Sequence, residues 1–191
     1  SICVCTVNIN TGGSNLDLKN IAGNDASSFL TVDVGGGNLT VSTYPIDTSP
    51  GIGSLIINRA SSVTTERISV LNDFRVSNAP LFVKGNETVN ITSKQGSISV
   101  ESVNPVPGDS SQLNLGIGNS STLTAGPIGN SNSFRGFSVV GGSIANLSSV
   151  TTTDGGISIS PSVVLSGDLA TNGSIFIGGS LSINGNVSLK S

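Results

Sequence analysis

Short strand-like units recur along most of the chain and constrain its fold more than any other feature. In each unit two apolar residues lie two positions apart, a spacing that places both side chains on one face of a β-strand. Such units occupy residues 39–41, 55–57, 68–70, 74–76, 81–83, 89–91, 98–100, 157–159, 175–177, 181–183 and 187–189. Helical spacing of apolar residues is nearly absent. The sequence therefore predicts an all-β protein.

The distance between units indicates how the strands are arranged. Units begin at residues 74, 81, 89 and 98, and again at 175, 181 and 187, with Gly, Asn, Asp or Ser between them. Strands this short and this frequent suit a parallel β-helix, in which each coil contributes two or three strands. We predict a parallel β-helix, or β-solenoid. The alternative, more open in the N-terminal half, is a β-sandwich, whose strands are usually longer.

The last third of the chain shows the coil most clearly. It reads as GSIFIGG (173–179), GSLSING (179–185) and GNVSLKS (185–191), each a Gly corner followed by a short core strand. Three such faces predict a coil of about 20 residues. Segments 43–51, 104–111 and 125–133 are predicted to be loops that leave the stack, or long connections in a sandwich.

These units, with GGSIANLSS (141–149) and GGISIS (155–160), give the chain a family resemblance. The chain resembles the right-handed parallel β-helix surface proteins, a broad group that includes filamentous-haemagglutinin-like adhesins. The resemblance implies a β-solenoid fold and a role in adhesion, surface display or carbohydrate binding. Some members of the group cleave polysaccharides.

The first ten residues, SICVCTVNIN, form an alternating strand that is apolar on both faces. We predict a single domain over 1–191 and an assembly strand within 1–10, carried by Ile2, Val4, Val7 and Ile9. In the alternative fold, a pilin-like β-sandwich, this strand would complete the sheet of the next subunit. Cys3 and Cys5 lie on one strand face, at a separation that is at the limit for a disulfide between them. They are either buried thiols or form disulfides, with each other, with another chain or with another segment.

Several features predict a secreted or surface location. The polar residues are mostly Ser, Thr, Asn and Gly, Met and Trp are absent, and the chain starts at Ser1, as a mature secreted chain can. Possible N-glycosylation sites of the Asn-x-Ser/Thr type are Asn38, Asn86, Asn90, Asn119, Asn146, Asn172 and Asn186. About six such sites would arise by chance in this composition, so they permit glycosylation without demonstrating it.

Composition argues against several classes of function. Only 10% of residues are charged and the net charge is -3, which argues against a nucleic-acid partner. No apolar run approaches the about 20 residues of a membrane span. Without His there is no Ser-His-acid triad, and the carboxylates are scattered. The one compact pair, Asp73 and Arg75, is explained at least as well by a surface ion pair.

The sequence thus predicts an extracellular structural protein without cofactor or metal and without enzymatic activity. Its expected partners are copies of itself in a filament, coat or adhesin, and glycans or another cell-surface ligand. The alternative is a carbohydrate-binding or polysaccharide-cleaving β-helix.

Overall fold

The computed structural model describes residues 5–23, 26–44 and 51–191, and these form an all-β structure without a helix. All strand pairings between them are parallel. The strands are β1 (Thr6–Asn10), β2 (Leu16–Ile21), β3 (Phe29–Asp33), β4 (Asn38–Thr43), β5 (Ser54–Arg59), β6 (Ser62–Thr65), β7 (Ile68–Val70), β8 (Phe74–Val76), β9 (Leu81–Val83), β10 (Thr88–Ser93), β11 (Ile98–Val100), β12 (Val103–Pro105), β13 (Gln112–Ile117), β14 (Thr122–Ala125), β15 (Gly136–Gly141), β16 (Ile144–Leu147), β17 (Val150–Thr151), β18 (Ile157–Ile159), β19 (Ser162–Leu165), β20 (Leu169–Ala170), β21 (Ile175–Ile177), β22 (Leu181–Ile183) and β23 (Leu189–Lys190).

The strands wind into a β-solenoid of about eight turns with three faces. Sheet 1 contains nine strands in the order β1-β3-β5-β8-β11-β14-β16-β19-β22. Sheet 2 contains β2-β4-β6-β9-β12 and then β17-β20-β23, and sheet 3 contains β7-β10-β13-β15-β18-β21. Ile128 joins the two parts of sheet 2, because it bridges both Val103 and Val150. The predicted β-solenoid is confirmed, and with it the resemblance in fold to β-helix proteins.

Coil length varies along the stack. Successive strands of sheet 1 begin as few as 18 residues apart, between Ile144 and Ser162, and as many as 25 apart, between Phe29 and Ser54. The three C-terminal units predicted to form one coil contain β21, β22 and β23, which lie in sheets 3, 1 and 2. The three faces of that coil are therefore confirmed.

The core consists of apolar rows that run along the stack, because in-register parallel pairing places equivalent residues of successive coils over one another. One row of sheet 1 contains Val7, Leu30, Leu55, Phe74, Ile98, Leu123, Ala145, Val163 and Leu181. A second contains Ile9, Val32, Ile57, Val76, Val100, Ala125, Leu147, Leu165 and Ile183. The row of sheet 2 contains Leu16, Leu39, Val63, Leu81, Val103, Ile128, Val150, Leu169 and Leu189. All members except those of the first and last coils are buried.

Two expectations need correction. The segment 125–133 was expected to leave the stack, but Ile128 is fully buried in sheet 2 and continues its row. The N-terminal half, where a β-sandwich remained open, is as much a solenoid as the rest, since β1 pairs with β3 and β3 with β5 in parallel. The pilin-like β-sandwich is therefore wrong for the described residues. Of the predicted loop 43–51, residues 45–50 lie outside the described residues.

Candidate functional site: two end surfaces and a lateral groove

The amino-terminal end surface consists of the apolar residues of the first coil, Val7, Ile9, Leu16 and Leu18. Val7 is 52% exposed, and the other three are half-buried against the core. An apolar cavity of about 390 Å³ opens beneath them and is lined in part by Ile52 of a later coil. Each of these side chains would be buried if a further coil were stacked on β1 and β2. The surface is therefore able to bind another apolar coil.

The carboxy-terminal end surface consists of Leu181, Ile183 and Leu189, in β22 and β23. These side chains are 37%, 55% and 49% exposed, although they belong to the same three rows that are buried in the preceding coils. β1 and β22 are also the edge strands of sheet 1. Edge strands present backbone N–H and C=O groups to any strand that can pair with them. The two end surfaces thus share both apolar side chains and strand edges.

The predicted assembly strand is only partly within the described residues. Val7 and Ile9 point toward the core side of β1, while Thr6, Asn8 and Asn10 are exposed on the outer side. The expectation that this strand is apolar on both faces is therefore wrong for Thr6–Asn10. Ile2, Val4 and Cys3 lie outside the described residues, and Cys5 is exposed, so the prediction of a disulfide stays a prediction.

A lateral groove of about 550 Å³ runs along the outer side of sheet 1. It extends over six successive coils, or about 24 Å at the usual spacing between paired strands. Its lining includes one residue of each coil in turn: Arg75, Ser99, Thr124, Asn146, Ser166 and Asn184. Hydroxyl and amide groups alternate with apolar side chains such as Val164, and the lining contains no aromatic ring. Such a surface can form hydrogen bonds along an extended polar ligand.

The charged side chains of the groove are held by local hydrogen bonds. Arg75 donates from Nε to Ser77 Oγ at 2.9 Å, and the backbone N–H of Asn78 donates to Glu101 Oε1 at 2.8 Å. Asp73 accepts from the backbone N–H of Ser97 at 2.9 Å. Within the described residues, Asp73 and Arg75 therefore support the coil corners and do not form the ion pair considered from sequence. In the same ranges, no group of three or more Cys, Asp or Glu side chains is placed to hold a metal ion.

The predicted glycosylation sites are spread over the outer surface. Asn38, Asn86, Asn90, Asn119, Asn172 and Asn186 are exposed, as modification requires. Asn146 is half-buried in the lateral groove, so a glycan attached there would occupy the groove. Attachment of glycans stays a prediction.

No protein-family model, curated protein or solved structure shows significant similarity to this chain. The described part of the chain also lacks any helix with the length and apolar character needed to cross a membrane. The end surfaces and the groove are therefore the features of this chain that indicate a function.

Sequence reasoning named no residue of the carboxy-terminal end surface as a site, and it missed the groove. The residues of the groove are scattered through the sequence between positions 75 and 184. Only the register of the coils brings them into one line. The signal that could have found them is the alignment of successive coils on their inner apolar residues. That alignment requires the coil lengths, which vary from turn to turn.

Proposed function

We propose that this chain is a structural subunit that stacks end to end with copies of itself into a filament or coat. One observation carries the proposal: the apolar rows of the core continue unbroken to both end surfaces, where their side chains are exposed or only half-buried. Burying such side chains stabilises an interface by about 25 cal/mol per Å² of apolar surface. End surfaces of the same chemistry suit non-closing, head-to-tail contacts, which produce filaments.

The proposed role is mechanical and extracellular, without catalysis. The three parallel sheets give a continuous backbone ladder, and the outer rows of Ser, Thr and Asn face solvent, glycans or another surface ligand. The low charge and the six exposed glycosylation sites are compatible with a secreted or surface location. Fractionation of the native cells tests the location, and recovery of the protein only from the cytosol would contradict it.

Ile183→Asp tests the stacking, because it places a charge on the carboxy-terminal end surface. Val140→Asp is the matched control: both side chains are 55% exposed, but Val140 lies on the lateral surface of β15. We expect light scattering to show concentration-dependent association of the unaltered chain and of Val140→Asp, and at least about tenfold weaker association of Ile183→Asp. Circular dichroism should show that all three are folded. Equal association of the two variants would exclude the end surface from the contact.

A second candidate function is binding of an extended glycan in the lateral groove. The observation that favours it is that each of six successive coils contributes at least one hydroxyl or amide group to the groove. Calorimetry with a panel of soluble polysaccharides tests it, using Thr124→Val in the groove and Thr64→Val on sheet 2 as a matched control. We expect Thr124→Val alone to weaken binding by several-fold, as loss of one hydrogen bond does. Absence of binding to every member of the panel would count against this candidate.

A further inference from the structure

The outer row of sheet 2 begins with a carboxylate and ends with an ammonium group. In its first part Asp17, Thr40, Thr64, Phe82 and Asn104 stand opposite one another in successive strands. In its second part the same holds for Thr151, Ala170 and Lys190. Because Ile128 bridges both Val103 and Val150, the two parts form one row in a single register.

From this row we infer the register of the contact between two copies. We propose that β23 of one copy pairs in parallel with β2 of the next, with Leu189 opposite Leu16 and Lys190 opposite Asp17. The occupant of each end surface is thus a second copy of this chain in head-to-tail orientation. The inference rests on the proposed function, and it adds the polarity and the register of the contact.

Sheet 1 independently supports the same register. When β22 of one copy stands opposite β1 of the next, its two inner residues Leu181 and Ile183 meet Val7 and Ile9. Each pair belongs to one row, so apolar side chains meet apolar side chains. On the outer side the polar residues Ser182 and Asn8 become neighbours, since both belong to the outer row that contains Thr124. No described strand of sheet 3 lies at this level, so sheets 1 and 2 set the register.

The charges of the two facing strands are complementary in this arrangement. Directly opposed residues on paired strands lie about 5 Å apart, near enough for opposite charges to attract and for like charges to repel. In the proposed register Lys190 lies opposite Asp17, so a cation meets a carboxylate. Asp17 already has a cation at 3.2 Å, Lys19 Nζ, and both side chains of that pair are more than half exposed. Lys190 of the next copy would therefore be a second cation beside an accessible carboxylate.

A charge swap tests the inference. We expect Lys190→Glu and Asp17→Lys each to weaken association about five- to tenfold at low salt, less at high salt, because each replaces an attraction by a repulsion. The double variant, with Asp17→Lys and Lys190→Glu together, should recover most of the lost affinity. Sedimentation at several ionic strengths measures all of these.

The matched control swaps Glu66 and Lys84, an exposed ion pair at 3.7 Å that follows β6 and β9, two and three coils in from β2. We expect Glu66→Lys with Lys84→Glu, and each single change, to leave association unaltered. If the Asp17 and Lys190 variants associate normally while Ile183→Asp does not, the register is wrong and the stacking stands. If the unaltered chain remains monomeric at every concentration and salt, both the stacking and the register are overturned.

Discussion

Outer polar residues bond to the equivalent residue of the next coil. Asn114 donates from Nδ2 to Asn90 Oδ1 at 2.8 Å, and Ser138 donates from Oγ to Asn114 Oδ1 at 2.9 Å. In-register stacking brings side chains of one row within about 5 Å, where like charges repel but neutral amides and hydroxyls can bond. This requirement explains why only 10% of the residues of the chain are charged. The composition thus follows from the geometry of the rows.

Glycine is required at one corner of the lateral groove. A Cβ added to Gly126 would collide with the backbone carbonyl oxygen of Glu101 in the preceding coil. We expect Gly126→Ala to lower the free energy of unfolding by about 1–3 kcal/mol, since two backbone segments would have to separate. Chemical denaturation measures the change.

Gly36→Ala is the control for that prediction. A Cβ added to Gly36 has no other atom within 4 Å, so the substitution should change the free energy of unfolding by less than about 0.5 kcal/mol. Equal effects at both positions would show that the approach of Gly126 to Glu101 does not limit the coil spacing.

At the scale of the strand, the apolar units read from the sequence are accurate but incomplete. Ten of the eleven units lie wholly within strands, and the eleventh, 187–189, reaches only the start of β23, but these ten account for only ten of the 23 described strands. Prediction succeeded there because Val, Ile, Leu and Phe occupy both inner positions of a short strand. Large apolar residues at every second position point to the same face of a strand, so this pattern directly predicts which side chains are buried.

Some of the other strands, such as β13 with Leu113 and Leu115, have the same period-two pattern and were overlooked, whereas others have small or polar residues at their inner positions. Ala125 in β14 and Ala145 in β16 occupy buried positions but give a weak apolar signal. Thr65 in β6 is buried as well, and its hydroxyl group bonds to the backbone N–H and C=O of Arg67. The two alanines fit because larger residues of the adjacent coils, such as Leu147 and Leu123, stand beside them in the row, and Thr65 fits because its hydroxyl is bonded locally. For the alanines, the residues of the adjacent coils decide the fit, and the local sequence pattern does not contain them.

The candidate site was less predictable than the fold. Val7 and Ile9 were named from sequence as assembly residues, since open solenoid ends require a cover. The correspondence of Asp17 with Lys190 depends on the register of seven intervening positions in sheet 2, which no local pattern contains. Small errors in coil length would have moved Lys190 to another row. Only the pairings of the complete stack place the two charges in one line.

For the whole molecule, end-to-end stacking predicts a defined filament. Nine strands of sheet 1 in each copy, spaced by about 4.8 Å, give an axial repeat of about 43 Å when β22 pairs with β1 of the next copy. Electron microscopy of purified native protein measures this repeat. A filament of bead-like subunits with a different axial repeat would indicate assembly by strand exchange. Isolated particles at high protein concentration would contradict polymer formation.

The pairing of each coil with its immediate neighbours also determines how the chain can reach this structure. Paired residues are separated by 18 positions, as for Ile157 and Ile175, up to 26, as for Asp33 and Arg59. Every added coil therefore closes a loop of similar size at a similar entropic cost, and the slow event is formation of the first pair of coils. From that nucleus, folding advances in both directions one coil at a time. A polypeptide that emerges gradually from a ribosome or a secretion pore can thus fold as it appears, without waiting for its distant end.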